Sequence, residues 1–136
     1  MDILSFWDVL CNTFGYRFFT GVPNTSLAQL FNTLNPEILH FVPAVSDSVA
    51  VDMAAGVALC GDKAVVLCSP ATFEIAALQI IKFVVKNSLP VLFIIASDPD
   101  IDIKKFKLSS GVESLEHVDA CVSNMRPAIL ICGDAF

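Results

Sequence analysis

The sequence predicts a three-layer α/β/α domain built on an open, mainly parallel sheet. Two runs carry most of that prediction. Lys63–Ser69 (KAVVLCS) and Pro90–Ala96 (PVLFIIA) are almost unbroken apolar segments, as expected of strands buried on both faces. The third observation is what surrounds them: segments with apolar residues at helical spacing, joined by short turns. Strands alternating with helices imply right-handed crossovers and hence a parallel sheet.

In chain order, Asp2–Phe14 reads as an amphipathic helix with Ile3, Leu4, Phe6, Trp7, Val9, Leu10 and Phe14 on its apolar face, stopped by Gly15. Phe18–Val22 is a short strand, and residues 21–24 (Gly-Val-Pro-Asn) form a turn. A helix from about Thr25 to Leu34 follows, capped by Asn24 or Thr25, with Leu27, Leu30, Phe31 and Leu34 facing in. Asn35-Pro36 ends it. Ile38–Val42 is the next strand, running into the helical stretch Pro43–Gly61.

After the Lys63–Ser69 strand, Ala71–Lys86 reads as a long helix with Ile75, Leu78, Ile81, Phe83 and Val84 turned inward. Ser97–Gly111 is polar and reads as a loop, with a short strand at Lys105–Leu108. Val112–Asn124 is a helix and Pro127–Cys132 a closing strand. The carboxyl ends of the strands, where ligands bind in such sheets, are Gly21-Val22-Pro23, Ala44–Ser48, Ser69-Pro70-Ala71 and Ser97-Asp98.

At 136 residues the chain is long enough for one domain with a real core. Its 55% hydrophobic and 16% charged residues are apolar for a soluble domain, so part of its surface is expected to meet another chain. The net charge of −6 argues against nucleic-acid binding, which needs clustered Lys and Arg. Lys104, Lys105 and Lys107 read as a solvated loop. No apolar run reaches membrane-spanning length, and the N-terminal stretch lacks a basic n-region and a small-residue cleavage site, so no membrane association and a cytoplasmic location are expected. The five cysteines form no CxxC pair, and Cys60, Cys68 and Cys132 read as small core hydrophobes.

Common nucleotide and hydrolase motifs are absent, as is any zinc-ligand spacing. Asp98, Asp100 and Asp102 alternate like the start of a calcium loop but lack its glycine and terminal glutamate, so no metal ligand is predicted. What stands out is a carboxylate, Asp47, where a strand gives way to an apolar helix. A carboxylate there must be solvated, paired or used.

Four segments in order, FFTGVPNTSLAQLF, AVSDSVAVDMAAGVAL with CGDKAVVLCS, NSLPVLFIIASD and RPAILICGDAF, resemble the pyrimidine-binding (PYR) domain of thiamin diphosphate enzymes. The likeness is above all to the PYR part of sulfopyruvate and phosphonopyruvate decarboxylases, and it covers nearly the whole chain as a single domain, 1–136. In that family the cofactor lies across an interface between a PYR and a pyrophosphate-binding (PP) domain, and a glutamate of an Asn-Glu-Gly motif hydrogen-bonds to the aminopyrimidine. That motif falls on Ser46-Asp47-Ser48, and the family's later helix glycine on Gly56.

The resemblance therefore implies Asp47 as the catalytic position, and Gly21, Val22, Pro23, Asp47, Ser69 and Thr72 around the cofactor. It implies no PP domain in this chain, with magnesium held by a partner chain. It also implies a subunit interface, with another copy or a PP-domain chain, through the helix at 46–61. There Val49, Ala50, Met53, Ala54, Val57 and Ala58 form the apolar face.

The sequence also departs from the family. Asp47 is one methylene shorter than glutamate, against a hydrogen-bond window only about 0.6 Å wide. Asp47 as a mere helix cap is the other reading of its position. The turn after Lys63–Ser69 has no glycine and contains Pro70, which removes a donor. The stretch after Asp98 is short enough to have lost a helix. These departures predict a PYR-like assembly or regulatory module with an eroded site, inactive alone. The alternatives are an active decarboxylase subunit that works with a PP-domain chain, and an unrelated flavodoxin-like binding domain.

Overall fold

A computed structural model describes residues 2–34, 40–96, 98, 109–112 and 115–132. The expected breaker Asn35-Pro36, the start of the second strand at Ile38, the strand at Lys105–Leu108 and the final Gly133–Phe136 lie outside the described residues. So does nearly all of the stretch where a family helix was expected to be missing.

The chain opens with α1 (Ile3–Asp8), capped by Asp2, whose side chain accepts from the Ser5 amide. It continues through wider π-helical turns at Val9–Thr13. Gly15, at φ 78°, then reverses the chain, a conformation that glycine adopts without strain. β1 (Phe18–Gly21) is followed by a 3-10 turn (Thr25–Leu27) leading into α2 (Ala28–Asn32). Asn24 supplies that cap, accepting from the Leu27 amide at 3.1 Å.

β2 (His40–Pro43) leads to α3 (Asp47–Leu59) and β3 (Ala64–Cys68). Next come α4 (Pro70–Ile75), α5 (Ala77–Gln79) and π-helical turns at Ile80–Val85, then β4 (Val91–Ala96). β5 (Ser109–Val112), α6 (Leu115–Ser123) and β6 (Ala128–Cys132) complete the described elements. The expected loop to Gly111 and helix from Val112 are thereby corrected. Residues 109–112 pair with β6 as a strand, and the helix begins at Leu115.

All strand pairs are parallel, in the order β2-β1-β3-β4-β6-β5. Every residue of β3 is buried, as its unbroken apolar run requires. Alternate residues feed two cores. Phe19, Val65, Leu67, Leu92, Ile94 and Leu130 meet α1, α2 and α6 on one face. Ala64, Val66, Cys68, Phe93 and Ile95 meet α3 and the α4–Val85 helix on the other. Trp7 anchors the first core, edge-on to Phe19 at 5.6 Å, with its indole N–H donating to Thr33 Oγ1 at 2.8 Å.

Three expected apolar faces are redrawn. Leu4 is exposed, while Phe6, Trp7 and Leu10 carry the burial of the first helix. On the Ala71–Lys86 stretch the inward side chains are Ala76, Ile80 and Val84, four apart, whereas Ile75, Leu78, Ile81 and Phe83 are exposed. On α3, Ala50, Ala54 and Ala58 pack into the chain's own core and leave only Val49, Met53 and Val57 half-exposed. Cys68 and Cys132 are buried as expected, but Cys60, at the end of α3, is exposed.

Candidate functional site

The chain runs from β1 outward to β2, then returns across β1 to β3 and continues the other way. The carboxyl ends of β1 and β3 thus flank a topological switch point, where ligands bind in open α/β sheets. The candidate residues gather at this end. Gly21 closes β1, Asp47 follows β2, and Ser69 follows β3. Gly21 pairs with Pro43 on one side and Leu67 on the other, and its carbonyl accepts from the Ala44 amide at 3.1 Å. Thr20, a buried polar residue not picked out from the sequence, donates from Oγ1 to the Val42 carbonyl at 2.7 Å.

Asp47 is the first residue of α3 and is half-buried. It is not the cap. Ser46, extended at φ −155° and ψ 165°, takes that role, its Oγ accepting from the Val49 amide at 3.3 Å. The expectation of Asp47 as cap is corrected, and its charge instead lies in the first turn, where it suits the helix dipole. Asp47 also lies close to the end of β3. Burial first, and the Asp47 charge second, push the Cys68 thiol well above its ordinary pKa.

Val22 is half-buried and Pro23 exposed, both in the turn beyond β1. Ser69 is half-buried and is the whole connection between Cys68 and Pro70, the first residue of α4. Thr72 lies in α4, in the first turn beyond Ser69.

A fit to thiamin diphosphate can be tested at Gly21. A Cβ there would collide with the Leu67 carbonyl. The space freed by the missing side chain is therefore filled by the chain's own backbone. The one-residue link with Pro70 at its far side offers no glycine loop through which a cofactor could approach the backbone. Among the described residues, no group of three His, Cys, Asp or Glu side chains could hold a metal ion. Among the described residues, this strand-end cluster offers neither a glycine turn after β3 nor a metal-ligand group.

A second polar cluster, at the opposite end of the sheet, went unread in the sequence. Lys63, just before β3, donates to the Phe14 carbonyl at 2.5 Å and to Asp119 at 3.1 Å, and its ammonium lies 4.5 Å from the centre of the Tyr16 ring. Tyr16 is wholly buried, and its hydroxyl makes no hydrogen bond of ordinary geometry among the described residues. Burial, and after it the neighbouring Asp119 carboxylate, push its phenol far up. The signal was available: Asp119 falls on the inward face of α6, between Leu115 and Val122 at helical spacing.

The sequence matches no protein-family model and no curated protein. Solved structures do match. Benzoylformate decarboxylase from Polynucleobacter necessarius superposes with a TM-score of 0.70 at 12% identity, over 91% of this chain and 28% of that one. The 2-oxoglutarate:ferredoxin oxidoreductase of Magnetococcus marinus gives 0.65 at 12% identity, over 92% of this chain and 27% of that one. A protein from Mycobacterium smegmatis assigned as a thiamin diphosphate-dependent enzyme gives 0.60 at 17% identity, over 86% of this chain and 28% of that one. This chain thus spans little more than a quarter of the length of these proteins. No helix among the described residues is long and apolar enough to cross a membrane. The likeness is one of fold: a parallel α/β domain of the kind found in thiamin diphosphate enzymes.

Proposed function

We propose that this chain is a PYR-type domain, of the kind paired with PP domains in 2-oxo acid decarboxylases such as those of sulfopyruvate and phosphonopyruvate. In this reading it keeps the fold and the capacity to assemble, and does not activate the cofactor. The observation that carries the reading is the connection from β3 to α4, a lone Ser69 followed by Pro70. It leaves the backbone no glycine turn with which to approach a cofactor. The short Asp47 side chain supports the same reading, because hydrogen-bonded activation of a ring requires donor and acceptor within about 2.6–3.2 Å. Any thiamin diphosphate would lie at an interface with a PP-domain chain that also holds the magnesium.

Calorimetry tests it. Thiamin diphosphate with magnesium, titrated into the purified chain, should give no binding heat, and a micromolar constant would overturn the reading.

A second reading, an active decarboxylase subunit, is favoured by the place of Asp47 in the first turn of α3 beside the switch point. It requires turnover of a 2-oxo acid in a complex with a PP-domain chain, abolished by Asp47→Ala. Such turnover would replace the assembly reading, whereas a complex without turnover supports it.

A further inference from the structure

We draw no further inference here: the strongest candidate, the Tyr16–Lys63–Asp119 cluster at the amino end of the sheet, holds its Lys63 ammonium on the Phe14 carbonyl, Asp119 and Ser123 and buries its Tyr16 phenol completely, so it belongs to the structural pairing already described and presents no group to a ligand.

Discussion

The ammonium of Lys63 sits 3.1 Å from the carboxylate of Asp119, and their side chains are 25% and 12% exposed. Since Lys63 also bonds to the Phe14 carbonyl, this pair ties the start of β3 to the end of the first helix and to α6. Removing the cation leaves Asp119 and the Phe14 carbonyl without that donor in a largely dry place. Lys63→Met should therefore lower stability by about 2 kcal/mol, less than for a fully buried pair because Lys63 keeps some solvent. Trp7, the chain's sole tryptophan, reports the urea midpoint. A loss below about 0.5 kcal/mol, the size of a surface effect, would reject the role.

At the other end of β1, the fit of Gly21 against the Leu67 carbonyl leaves no room for a methyl group. Gly21→Ala must push β1 away from β3 at the centre of the sheet. It should cost about 2–3 kcal/mol by the same assay, as overpacking does elsewhere. If the variant is as stable as the parent, the two strands are not this close.

Met125 offers the opposite sign. It follows α6 with φ 61°, while its amide bonds to the Val122 carbonyl and that of Arg126 to the Cys121 carbonyl, both at 3.0 Å. This is a left-handed helix stop of the kind that glycine fills without strain. Met125 is 52% exposed, so little packing is lost. Met125→Gly should raise stability by about 0.5–1 kcal/mol. A decrease would show that the side chain contributes more than the backbone strain costs.

Stability should also fall in alkali. Burial first, then the Asp8 charge, push the Cys11 thiol from 9.0 up to about 11, and the Cys68 thiol and Tyr16 phenol are raised too. Above pH 9 the unfolded chain gives up protons that the folded chain keeps. The folded state then binds more protons, and stability decreases as pH rises. The stability is fully present below pH 9, and the Cys11 part is lost by about pH 11. Urea midpoints at successive pH values from 8 to 11 check this, and a level profile would contradict it.

Much of the fold could be read from the sequence, because buried parallel strands declare themselves as apolar runs such as KAVVLCS. The facing of the Ala71–Lys86 helix could not. Apolar residues line more than one side of this stretch, so spacing alone does not say that Ala76, Ile80 and Val84 are buried and the larger Ile75, Leu78 and Ile81 exposed. The candidate site was legible as strand ends but not in its detail. Ser46 and Asp47 are both good caps, and only the extended backbone of Ser46 decides between them. The inward place of Asp119 could be read from the spacing of its helix, but its partner Lys63, far away in the chain, could not.

The order of the strands also bears on how the chain folds. β1 and β3 are neighbours, but Phe18 cannot pair with Ala64 until the chain has made α2, β2 and α3. The segment that fills the centre of the sheet, β3, is apolar at every residue and has no solvated face. Pairings of such long sequence separation are slow to form. Until it pairs, β3 is therefore a segment open to non-native association.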